Sequence, residues 1–267
     1  MKKTSVLQFL LSTSLVLASF IISGPAIAQS AADDAPKKPT AAAAPQKPAA
    51  ANAPQKPAVT GTSAIWGKID GVAIEGMVQG PSTEKTPLQV ACVFEYTEGD
   101  IFNSPPALPA AANGMVHLDQ ALKGLITDLR KSGKFKGHTF ETLLITPPPG
   151  LISAGKLLLI GLGDRNKFTP ELMTDISCVA MREALGLRVS SYAFASDLKD
   201  GGIDSPTAAV AGYIVKGAFE AYRTQAYLKS KNMATGKPLV KVTLLAGPPF
   251  FTPAGEGIKQ AIAAFNN

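Results

Sequence analysis

The stretch "GKLLLIGLGDRNKFTPEL", Gly155–Leu172, constrains the fold more than any other part of the chain. An apolar run closes on Gly161-Leu162-Gly163-Asp164, and a helix start follows, with Thr169 as cap, Pro170 at the first position and Glu171 in the first turn. Strand, turn and helix in this order recur along the rest of the sequence. "AIWGKIDGVAIEGMVQG", "LQVACVFEY" and "FETLLITPP" read as strands before the run, and "LRVSSYAFA" and "KPLVKVTLLAG" as strands after it. One helix is expected over "HLDQALKGLITDLRKSG", where Leu118, Leu122, Leu125, Ile126 and Leu129 share a face. A second runs from Thr169 to Gly186 with Leu172, Ile176, Val179, Ala180 and Ala184 inward. A third runs from Thr207 to about Lys229, and a last one covers "TPAGEGIKQAIAAF". Alternation of this kind implies an α/β fold, a mixed sheet covered on both faces by helices.

The N-terminal part follows different rules. Lys2 and Lys3 precede the apolar "VLQFLLSTSLVLASFII", and Ala26-Ile27-Ala28 ends the segment, the pattern of a secretory signal peptide cleaved after residue 28. The expected location is therefore exported, periplasmic or extracellular in a bacterium, with no stable membrane span after cleavage. Residues 29–60 are nearly all Ala, Pro, Lys, Gln and Thr, with "APQKPA" twice, and read as a disordered linker because they cannot bury enough apolar surface to offset their ordering entropy. The folded domain is expected over residues 61–267, enough for one hydrophobic core.

Charge excludes one class of partner. The formal +6 of the whole chain falls to +4 without the leader and to about +2 without the linker lysines Lys37, Lys38, Lys47 and Lys56 and aspartates Asp33 and Asp34. Domain-wide basicity gives no reason to expect nucleic acid. Cys92 and Cys178 allow one disulfide, but both lie in apolar surroundings where a free thiol packs as a small hydrophobe.

The glycine turn is not a dinucleotide fingerprint. G-x-G-x-x-G needs a third glycine where this chain has Asn166, and the expected helix begins too late for its amides to open from the turn. The wider run "HTFETLLITPPPGLISAGKLLLIGLGDRNKFTPELMTDISCVAMREALGLRVSSYAF" resembles the N-terminal domain of the leucyl (cytosol) aminopeptidases. The helix that follows is similar to the family's next one, with Gly217, Ala218, Tyr222, Arg223 and Tyr227 matching loosely. The resemblance spans about His138 to Leu228 and implies a three-layer α/β/α, macro-like domain. In that family the domain precedes a catalytic domain and helps assembly; the catalytic part holds two metal ions with Lys, Asp and Glu side chains. No position here matches those ligands, so no catalytic residue, metal ligand or cofactor is expected.

The residues themselves agree. The acids are scattered, His117 and His138 fall in no H-E-x-x-H spacing and read as solvated, and no G-x-S-x-G is present. Macro domains imply ADP-ribose binding, but "PAAANGMVHLDQAL" offers Asn113 and Gly114 without the glycine run of that family. Two glycine loops remain as candidate ligand sites: Gly161, Gly163 and Asp164, and the "AGPPFFTPAGEG" loop with Gly247, Gly255 and Gly257 beside Phe250 and Phe251. The leading expectation is an exported, non-catalytic module acting in protein binding or assembly, with a protein partner or a homo-oligomer. The alternatives are a small-ligand (nucleotide or anion) binder, and a metal-dependent aminopeptidase or subunit of one.

Overall fold

A computed structural model describes residues 57–96 and 108–266. The expected leader and linker residues 1–56 lie outside them. The described residues belong to one compact unit. Among the described residues, seven strands build one sheet: β1 (Ser63–Ile69), β2 (Val72–Val78), β3 (Gln89–Phe94), β4 (Thr142–Ile145), β5 (Leu157–Gly163), β6 (Ser191–Ala195) and β7 (Lys241–Ala246). Their spatial order is β1-β2-β7-β6-β3-β5-β4. The five inner strands are parallel, and only the edge strands β1 and β4 run antiparallel to their neighbours. The mixed α/β sheet expected from the sequence is what forms.

Burial follows position in the sheet. β3 and β5 are buried along their whole length, as central parallel strands covered on both faces must be. β2 alternates buried and half-buried residues, and β4 alternates half-buried and exposed ones.

Helices α1 (Gly114–Ala121) and α2 (Leu125–Lys131) pack on one face over Ala91, Val93, Leu157 and Leu159. Helices α3 (Leu172–Gly186), α4 (Thr207–Ser230) and α5 (Phe251–Asn266) pack on the other, over Val90, Ile160, Tyr192, Phe194 and Val242. The result is three layers. Among the described residues, no helix is long and apolar enough to cross a membrane.

Three local expectations need correction. The single helix expected over 117–133 is two helices. The chain turns at Lys123 and Gly124, both at positive φ, and Asp119 accepts from the Ile126 and Thr127 amides to cap the second helix. Helix α3 starts at Leu172 rather than at Thr169 or Pro170, which form a preceding turn whose carbonyls take the Leu172 and Met173 amides. The last helix starts at Phe251, so Gly255 and Gly257 lie inside it and not in a loop. Cys92 and Cys178 are both free, Cys92 inside β3 and Cys178 half-buried on α3.

Candidate functional site

Parallel strands place their carboxyl ends on one edge of the sheet, and the helices that follow begin there. This edge is where open α/β sheets leave a crevice. Here it holds a cavity of about 400 Å³ at the ends of β2, β7 and β6. Its wall is largely apolar, with Phe194, Leu244, Ile214, Ala112 and Phe250 among the lining side chains. Lys199 stands over the Phe250 ring, 5.7 Å from its centre. The starts of α1, α4 and α5 face the same space.

Two carboxyls from the loop after β6 determine the polar chemistry of this cavity. Asp197, at a positive φ of 55°, accepts from the Cys92 amide at 3.1 Å. Asp200 accepts from the Met115 amide at 3.1 Å, in the first turn of α1. Asn113, fully buried, completes the joint: its Oδ1 caps the Val116 amide at 3.0 Å and its Nδ2 donates to the Asp200 carbonyl at 3.1 Å. Arg165 donates to the Gly201 carbonyl and ties the same loop to the turn after β5.

The two carboxyls also bond to each other. Burial, and then the charge of Asp200, push Asp197 well above the usual carboxylate range. Burial also raises Asp200, but the Met115 and Gly114 amides and the bond from Asp197 oppose it. Asp197 therefore holds the proton of the pair and donates it, while Asp200 carries the charge at the positive end of α1. Nearby Cys92 is pushed up chiefly by burial, so it stays a thiol.

The predicted glycines are placed elsewhere or serve other ends. A side chain at Gly161 would lie 2.0 Å from the His138 carbonyl, and Gly163, at φ 76°, would strike the Thr139 hydroxyl. Their amides are spent on the Glu141 and Gly137 carbonyls. Asp164 is half-buried, held below the usual carboxylate range chiefly by the Asn166 amide, and it lines a second groove with Glu95, Glu171 and Asp175 and one cation, Lys167. That groove is acidic, the wrong sign for a phosphate.

Gly247 lies on the cavity rim, but Gly255 packs under the Trp66 ring and Gly257 under the Ala208 carbonyl. Phe250 lines the cavity, whereas Phe251 is buried against Trp66 with ring centres 5.6 Å apart. The exposed pair expected to flank a ligand is thus one lining residue and one core residue. His117 and His138 are solvated as expected, and His138 bonds Glu95 at 2.6 Å. Sequence reasoning missed Asp197 and Asp200. Their only signal was a D-x-x-D-G-G at a strand exit, which reads as an ordinary polar loop.

Comparison with known proteins gives a consistent family. Residues 101–232 match the cytosol aminopeptidase family, N-terminal domain. A protein of Burkholderia mallei named as a probable cytosol aminopeptidase is 31% identical over 196 residues, 72% of this chain and 35% of that protein. Its counterpart in Burkholderia thailandensis is 29% identical over the same shares. The chain thus spans about 35% of the length of these curated relatives. Among solved structures, a tomato leucine aminopeptidase variant is 20% identical with a TM-score of 0.49, covering 75% of this chain and 38% of that one. An Oceanobacillus iheyensis macrodomain variant is 18% identical with a TM-score of 0.47, covering 76% of this chain and 99% of that one.

Proposed function

We propose that this chain, which carries at residues 101–232 the N-terminal domain of the cytosol aminopeptidase family, is an exported binding module without peptidase chemistry of its own. Its ligand site is the cavity at the carboxyl ends of β2, β7 and β6, and that cavity is the observation on which the reading rests. A volume of about 400 Å³ with apolar walls and a few convergent polar groups suits a small molecule. Export rests on the leader pattern of residues 1–28.

The donor set favours a neutral or cationic ligand over a phosphate. Asp200 already occupies the amides at the start of α1 that an anion would use. Pro248, Pro249 and Pro253 leave the start of α5 short of N–H donors. An apolar body against Phe194 and Phe250, with a hydroxyl or ammonium group toward Asp200, fits what remains. Among the described residues, no three His, Cys, Asp or Glu side chains converge as a metal ion would require.

The test is a thermal-shift screen of residues 53–267 against amines, polyols, peptides, nucleotides and sugar phosphates. It is repeated with Ala112→Trp, which places a ring at the cavity mouth from an exposed position. Ligands that raise Tm in the parent and not in the variant are the expected result. A flat screen overturns the cavity reading, and manganese-dependent turnover of leucyl substrates by the purified chain overturns the non-catalytic one.

Assembly is the second reading, favoured by the two edge strands. Ile65 on β1 is 62% exposed, and Phe140 and Leu144 at β4 are 46% and 41% exposed. Sedimentation that finds only a monomer at high concentration would remove a homo-oligomer.

A further inference from the structure

The amino edge of the sheet, opposite the cavity, carries a different kind of surface. Helix α4 runs back from the cavity edge toward the end of the sheet where β7 starts, and it ends at Ser230. Its last two turns and the loop after it expose Tyr227 (62%), Leu228 (36%), Met233 (78%) and, at the entry to β7, Val240 (55%). Large apolar side chains exposed together need a reason. The fold holds this tip in shape: the Met233 amide bonds the Leu228 carbonyl at 2.9 Å, and Lys229 Nζ donates to the Gly236 carbonyl at 3.3 Å.

Along the sequence, the charge of this segment has one sign. From Ala221 to Gly255 the chain has no Asp or Glu, while Arg223, Lys229, Lys231, Lys237 and Lys241 all fall in that span. Arg223 and Lys241 are neutralised by Asp70 and Glu75. Among the described residues, the ion pairs include none of Lys229, Lys231 and Lys237. The ammonium of Lys231 lies 5.5 Å from the centre of the Tyr227 ring, so cation and apolar surface are presented together. At the opposite edge, Glu95, Asp164, Glu171, Asp175 and Asp200 outnumber Lys167 and Lys199, so the balance there is acidic.

We infer that the tip formed by the end of α4 and residues 231–240 docks on an anionic lipid surface. Tyr227, Leu228 and Met233 enter the headgroup region, and the three lysines pair with lipid phosphates as their stems lie along the apolar boundary. The acidic edge, repelled by the same surface, faces away, which leaves the cavity open to solvent. A purely electrostatic partner such as a DNA duplex would use the lysines but leave the exposed apolar side chains unused.

The experiment is co-sedimentation of residues 53–267, the compact unit, with vesicles of equal parts phosphatidylglycerol and phosphatidylcholine, and with phosphatidylcholine alone. Two variants accompany the parent, Lys229→Glu with Lys231→Glu, and Tyr227→Ser with Met233→Ser. All four positions are outside the core, and circular dichroism checks that each variant folds. The expected result is partition onto the anionic vesicles only, weakened at least about tenfold by the charge reversal and severalfold by the serine pair. Equal partition onto both vesicle types, no partition, insensitivity to either variant, or binding to a DNA duplex in place of vesicles would each overturn the inference.

Discussion

Replacing Asp197 by Asn tests the assignment of the proton in the carboxyl pair. An asparagine keeps both bonds: its Oδ1 accepts from the Cys92 amide, and its Nδ2 donates to Asp200 as the carboxyl proton does. What changes is the response to pH. A carboxyl whose pKa is raised by folding contributes stability that is fully present below its unfolded value, about 3.9, and is lost as pH rises through the folded value. For one proton the slope is at most about 1.4 kcal/mol per pH unit. The parent should therefore weaken relative to Asp197→Asn as pH rises from about 4 toward neutrality, and the difference between the two should grow at up to that slope.

The comparison cancels other groups. Asp70, Asp164, Glu171 and Asp204 are lowered by folding and act in the opposite sense on the acid side. His117, which faces Asp200, is common to both proteins. Urea unfolding at a series of pH values measures the difference directly. A variant destabilised by the same amount at every pH would refute the protonated Asp197.

Two further outcomes follow from packing. Gly257→Ala would put a methyl 1.9 Å from the Ala208 carbonyl oxygen and force α4 and α5 apart, costing about 1–3 kcal/mol, partly offset by about 1 kcal/mol of helix propensity. Calorimetry should show a Tm lower by several degrees, and an unchanged or raised Tm would mean that the helices do not cross this closely. Cys92, buried and held as a thiol, should resist an aromatic disulfide reagent in the native protein. Denaturation should then release two titratable thiols without reductant. A single bridge in the intact mass would refute the separation of Cys92 from Cys178.

Much of the architecture could be read from the sequence because the central strands are apolar on both faces. Leu157–Leu162 and Val90–Phe94 leave no plausible solvated side, so a covered sheet was the consistent reading. Features that depend on contacts across the chain were less legible. Leu118, Leu122, Leu125 and Ile126 keep helical spacing across a break, because the cap from Asp119 compensates for the turn at Gly124. Gly255 and Gly257 are glycines for close packing against Trp66 and α4, yet in sequence they cannot be told from a flexible loop. The carboxyl pair was hidden for a related reason: acids in a Gly-rich loop look solvated until a helix start is found to be pressed against them. In the glycine turn, the amides of Gly161 and Gly163 are spent on carbonyls within the fold, a contact across the chain that sequence spacing does not show.

The order of strands in the sheet bears on how the chain reaches this structure. The hairpin of β1 and β2 is made early, but among the described residues the only other strand it pairs with is β7, where Glu75 stands opposite Thr243. Glu75 accepts from the Thr243 hydroxyl across a sequence separation of 168 residues. A chain emerging from its N-terminus thus carries two strands with an unmatched edge until almost all of the domain has been made. Closing so large a loop is entropically costly, and folding dominated by such distant pairings is slow. The last strand acts as a latch: before it arrives the sheet is divided, and the early hairpin is the segment most open to capture by chaperones or by another copy.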